Sequence, residues 1–105
     1  MNRLHYLDRQ HMIHVRTRLG KNLRERRNEI PLGRREAARM LRVLSKSNLN
    51  HQDGPTYISR VERGVENASL SRYLLLSDIF GMTPAELFDG VKSLTEWLEE
   101  CSPTA

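Results

Sequence analysis

The chain has 105 residues, enough for one compact domain and too few for two. Its hydrophobic share of 38% suffices for a small core, and no run of 18 apolar residues offers a membrane span. The single cysteine, Cys101, excludes an internal disulfide framework and fits a reducing compartment. The opening residues Met1-Asn2-Arg3-Leu4-His5 lack the apolar stretch of a leader peptide, so a soluble, cytoplasmic protein is expected.

The net charge is +4, but its distribution is uneven. Residues 16–46 hold eleven Lys and Arg against three Glu, whereas residues 66–105 hold two basic residues against seven acidic ones. A basic half beside an acidic half predicts one face for a polyanion and another turned elsewhere.

Helical signals run through the chain, and no stretch alternates as a strand would. Val15, Leu19 and Leu23 recur every four residues, predicting a first helix from about Val15 to Glu29. Pro31 ends it, because proline disfavours helix at Ile30 and donates no hydrogen bond. Gly33 opens a second helix with Ala37, Ala38 and Leu41 inward, small residues that suit a close crossing. The polar stretch 45–54 reads as a loop. Pro55 then starts a short third helix with Ile58 and Val61 inward, stopped by Gly64. Ser69 caps a fourth helix running to about Phe80, with Leu70, Tyr73, Leu74, Leu76, Ile79 and Phe80 expected on its core side. Thr83-Pro84-Ala85-Glu86 is a capping box with proline at the first helical position, followed by Leu87 and Phe88 for the core. After Asp89-Gly90, the residues Val91, Leu94, Trp97, Leu98 and Cys101 fall on one stripe of a sixth helix. The expected fold is an all-α bundle of six short helices.

Four pieces of the sequence carry a resemblance. They are Leu32-Gly33-Arg34-Arg35-Glu36-Ala37-Ala38, Tyr57-Ile58-Ser59-Arg60-Val61-Glu62-Arg63-Gly64, Ser69-Leu70 through Leu76, and Gly81-Met82-Thr83-Pro84-Ala85-Glu86-Leu87-Phe88. Together they resemble the XRE family of helix-turn-helix regulators, the phage Cro and repressor type, over about two thirds of the chain. The resemblance implies a five-helix repressor-like DNA-binding domain over 15–88, flanked by an N-terminal extension at 1–14 and a C-terminal amphipathic helix at 91–101. It implies a bacterial or phage transcription regulator, such as a repressor, that binds an inverted repeat in double-stranded DNA as a homodimer.

Residue roles follow by position. Thr56, Tyr57, Ser59 and Arg60 fall where the family reads base edges, and an arginine can grip guanine through two hydrogen bonds. Arg34, Lys46 and Arg63 are the phosphate candidates, Arg34 being helped by the positive end of its helix. Arg27 and Glu62 fall where the family has an ion pair joining the first helix to the third. Three departures stand out: Gly33 replaces the usual Ser or Thr cap, Glu66 and Asn67 occupy a loop that often carries Lys or Arg, and about ten residues separate Leu44 from Pro55.

The ends invite a further expectation. The stripe of Val91, Leu94, Trp97 and Leu98 is expected to make the dimer, with apolar residues 4–13 as the second place to look. His5, His11, His14 and His51 lack acidic or Cys partners at ligand spacing, so neither metal nor cofactor is expected. No nucleophile–base, paired-carboxylate or glycine-rich phosphate pattern is visible, so no enzyme is expected. The competing expectation is a protein-interaction module or antitoxin-type partner-binding protein, using the acidic C-terminal helix as its contact.

Overall fold

The computed structural model describes residues 3–45 and 54–101, with side chains from Asp8 to Ser45 and from Gly54 to Glu100. Among them are six helices and no strand: α1 (Arg3–Glu29), α2 (Arg34–Ser45), α3 (Gly54–Glu62), α4 (Leu70–Ile79), α5 (Pro84–Leu87) and α6 (Leu94–Cys101). None of these helices is long and apolar enough to cross a membrane. The core gathers Leu19 and Leu23 of α1, Ala37, Ala38 and Leu41 of α2, Ile58 and Val61 of α3, then Tyr73, Leu76, Phe80, Met82 and Leu87. Leu19 and Leu23, Ile58 and Val61, and Leu41 with each of the two alanines are three or four residues apart, as a helix facing a core requires.

Two crossings are close enough to constrain residue size. A Cβ on Gly54 would stand 3.0 Å from the Cβ of Ala38, so α3 enters directly against α2. Gly20, in α1, meets the backbone of α3 still more closely, as discussed below. The helix ends are capped as their sequences require. Ser69 accepts from the Arg72 amide at 3.2 Å, and Thr83 and Glu86 exchange both bonds of a capping box. Gly81, at φ +70, takes the left-handed turn that ends α4.

The structure departs from the sequence reading at several places. α1 starts at Arg3 rather than near Val15, so the expected separate extension is the outer half of one 27-residue helix. Residues 8–14 show no apolar stripe, yet they contain neither Gly nor Pro to interrupt a helix that tertiary contact supports. Leu70 and Phe88, both expected inside, are exposed. The inward face of α4 runs through Tyr73, Leu76 and Ser77, and Leu70 lies one turn beyond the edge of the core. α6 begins at Leu94, after a second capping box in which Ser93 Oγ accepts from the Glu96 amide and Glu96 accepts from the Ser93 amide. Val91 therefore precedes the helix and packs against the core instead.

The basic block also divides. Arg26 donates to the Phe80 and Gly81 carbonyls at 3.1 and 2.8 Å, and Arg18 donates to the Asp89 carbonyl at 2.9 Å. Buried Asn22 donates to the carbonyls of Leu87 and Asp89, both at 2.8 Å. These side chains satisfy carbonyls that the ends of α4 and α5 leave without helical partners. They tie α1 to the rest of the bundle.

α6 docks on the outer half of α1 through the backbone of Lys92. The Lys92 amide donates to His14 Nε2 at 3.1 Å, and His11 Nε2 donates to the Lys92 carbonyl at 2.8 Å. The Trp97 ring lies 6.0 Å from that of His11, and Lys92 Nζ pairs with Glu100. His14 can accept only while Nε2 carries no proton. Burial, then the neighbouring His11, Lys92 and Arg18, hold its pKa below the usual 6.5 against the opposing pull of Glu100. A histidine with a lowered folded pKa adds stability that is complete above 6.5 and lost as pH falls through the folded value. Acidification from pH 8 to 5 is therefore expected to loosen α6. The emission maximum of Trp97, the single tryptophan, should shift red while helix content holds. An emission maximum constant over that range would show that docking does not depend on the His14 acceptor.

Candidate nucleic-acid interface

α2 starts without a side-chain cap. Gly33 lies at the N-cap position, its carbonyl accepts from the Ala37 amide at 3.0 Å, and a Cβ there would meet nothing within 4 Å. Just inside that end, Arg34 Nε donates to Glu62 Oε1 at 3.3 Å, leaving the Arg34 side chain 47% exposed. Glu62 is the meeting point of three segments. Arg27 of α1 donates Nε to Oε2 at 2.6 Å and Nη2 to Oε1 at 3.1 Å, and its Nη1 reaches the Leu32 carbonyl at 3.2 Å. The Glu62 and Arg27 side chains are 2% and 9% exposed, a fork-to-fork pair shut away from water. The predicted phosphate ligand Arg34 is thus held on the carboxylate that anchors α3 to α1.

Along the outer face of α2, Arg35, Arg39 and Arg42 follow one another at four and three residues. This spacing puts them on one stripe. They line an open groove with Gly33, Glu36, Ala38 and Pro55, where α2 passes the start of α3. None of the three is among the contacts expected from sequence. Their spacing was legible, but the block of eleven basic residues gave no reason to separate them from Arg18 and Arg26.

On α3, Thr56, Arg60 and Arg63 are exposed and Ser59 is half-buried. Tyr57, expected on the outer face, is half-buried and packs against the core. Burial pushes its phenol pKa up, with Glu66 adding to the rise and Arg72 opposing it, and the Tyr73 phenol rises for the same first reason. Arg60 Nη2 lies 2.7 Å from Glu66 Oε1. The loop expected over 45–54 falls outside the described residues except for its ends, Ser45 closing α2 and Gly54 opening α3. Lys46, with His51, lies in that undescribed part, and His5 has no described side chain.

The remaining predicted residues sit on the far side of α1. Val91 is half-buried against the core, Trp97 and Leu98 are half-buried, and Leu94 stays exposed. Trp97 is turned to His11 of its own chain. Among the described residues, no three His, Cys, Asp or Glu side chains converge on a metal position. Comparison with models of protein families, with curated proteins and with solved structures finds no match.

Proposed function

We propose that the chain is a sequence-specific DNA-binding regulator of the helix-turn-helix type, with α2 on the phosphates and α3 in the major groove. The observation that carries this reading is the Arg35–Arg39–Arg42 stripe beside the polar outer face of α3. A duplex offers that combination what it needs, phosphates for the stripe and base edges for Thr56, Ser59 and Arg60. α3 suits a groove because it is short, apolar where it meets the core and polar outside, and because the Arg27–Glu62 pair anchors its end. An inverted-repeat site calls for two such helices about one DNA turn apart, hence a homodimer. Leu94 on α6 and Met12 and Ile13 on α1 remain exposed for that contact. Occupying a promoter in this way would repress it.

Binding to a selected duplex and to a random one, measured across a salt series, tests the reading. The logarithm of affinity should fall linearly with that of salt, by roughly 0.9 for each phosphate neutralised. Arg39→Ala should flatten the slope by about that amount on both duplexes. Arg60→Ala should relax preference at one base pair, by roughly 1–3 kcal/mol, while Arg34→Ala weakens all duplexes alike. Salt-independent or absent duplex binding would leave the interaction-module reading in its place.

A further inference from the structure

Glu66 is an acidic residue on a surface otherwise given to arginine, and the local backbone puts it there. Gly64, at φ +77, reverses the chain at the end of α3, with its amide bonded to the Val61 carbonyl at 3.0 Å. The Val65 amide then bonds to the carbonyl of Arg60 itself at 3.1 Å. Two backbone bonds thus return the chain beside α3 and set the Glu66 backbone at a fixed position relative to that of Arg60.

The side chains complete the arrangement. Glu66 is only 19% exposed, and it is the acidic member of a polar cluster assembled from four segments. Tyr57 and Tyr73 both feel its charge, and they feel in turn Arg72 of α4 and Arg16 of α1. Arg72 Nη1, Arg16 Nε, the Tyr73 hydroxyl and Glu66 Oε1 itself are buried there without a hydrogen-bond partner among the described residues, so Glu66 meets Arg60 through charge at 2.7 Å and not through an aligned hydrogen bond. Moving a negative charge out of such surroundings is unfavourable, so the carboxylate is the stationary partner. Arg60 is the outer one, its side chain 49% exposed, and the pair engages its Nη2. A guanidinium has five donors, and guanine needs two of them.

We propose that Glu66 is a positioning residue for Arg60, drawing its guanidinium to one side by an ion pair so that its remaining donors are presented to a guanine. The proposal rests on the DNA-binding reading above and names the specificity element within it. An arginine held before binding loses less side-chain freedom when it docks, and it meets a wrong base in a geometry that cannot adapt. Glu66 also sets a negative charge beside the arginines of this surface, so it disfavours random duplex while the pair favours the right one.

The test compares the unsubstituted protein, Glu66→Ala, Glu66→Gln and Arg60→Ala on a selected duplex and on the same duplex changed at each base pair. Arg60→Ala identifies the base pair that Arg60 reads. At that pair, Glu66→Ala should lose about two- to tenfold of the preference for guanine. Its affinity for random duplex should rise, and its melting should fall, because buried Arg16 and Arg72 lose their acidic neighbour; only the loss confined to one base pair reports the positioning role. Glu66→Gln, which keeps an acceptor without the charge, should fall between the two and covers the case in which the alanine variant does not fold. Unchanged or sharpened guanine preference in Glu66→Ala would overturn the proposal while leaving DNA binding intact. If the unsubstituted protein binds no duplex, the function reading itself fails, and this proposal with it.

Discussion

Glu62→Ala should lower the stability of the folded chain by about 3–5 kcal/mol, a large share of what a domain of this size possesses. The reason is the charge left behind. Arg27 is 9% exposed and makes two of its three hydrogen bonds to the Glu62 carboxylate. With that carboxylate gone, a buried guanidinium keeps only the Leu32 carbonyl. Arg34 loses a partner too, but it is 47% exposed and water replaces the bond at small cost. Urea unfolding followed by circular dichroism measures the loss. Replacing Arg27 and Glu62 together with apolar residues of similar volume should recover much of it, because the removed pair also carried a desolvation cost. A Glu62→Ala protein that unfolds at the unsubstituted midpoint would show that the pair contributes nothing to the fold. Changed base preference in such a protein would place Glu62 on the reading surface.

Gly20→Ala should also be strongly destabilising, by about 2 kcal/mol net, against the ordinary trend. In a helix interior, alanine is favoured over glycine by roughly 0.5–1 kcal/mol. Here an added Cβ would lie 2.3 Å from the Val61 carbonyl oxygen, 2.6 Å from that of Glu62 and 2.9 Å from the Glu62 carbonyl carbon. All three are backbone atoms at the end of α3, so no side chain can swing aside. α1 and α3 must separate, which withdraws Val61 from the core and stretches the Arg27–Glu62 pair. Overpacking of this kind costs on the order of 3 kcal/mol, enough to overcome the helix preference several times over. Gly33→Ser provides the contrast, because a Cβ there meets nothing and a hydroxyl can cap α2. Its midpoint should match or slightly exceed that of the unsubstituted protein. A Gly20→Ala midpoint equal to that of Gly33→Ser would mean that α1 and α3 do not cross as closely as described.

The contrast between these positions separates what was legible in the sequence from what was not. Local rules determined the helices over most of the chain. The four-residue recurrence of Leu19 and Leu23, the Ala37–Ala38 pair, the Ile30-Pro31 stop, the Ser69 cap and the Thr83–Glu86 capping box each act within a turn or two. Chain periodicity alone therefore carries them. The outer half of α1 failed that reading, since residues 8–14 form helix without an apolar stripe and find their support in α6, some eighty residues away.

Charge was the least legible property. Arg18, Arg26, Arg35 and Arg39 look alike in sequence, and only the packing of α1 against the ends of α4 and α5 assigns the first two to carbonyls. Arg27 is the exception, since the family resemblance paired it with Glu62 and α3 brings that carboxylate to it. Arg35 and Arg39 are exposed on the outer face of α2. Glycine behaves the same way. Gly64 and Gly81 announce turns by following a helical run, whereas Gly20 sits unmarked inside one, and its necessity comes from a second helix whose backbone passes within a Cβ radius. A sequence determines its short-range geometry through steric and hydrogen-bonding terms that reach a few residues. Which charge meets which partner, and which small residue lies at a crossing, is decided by distances that exist only once the helices have packed.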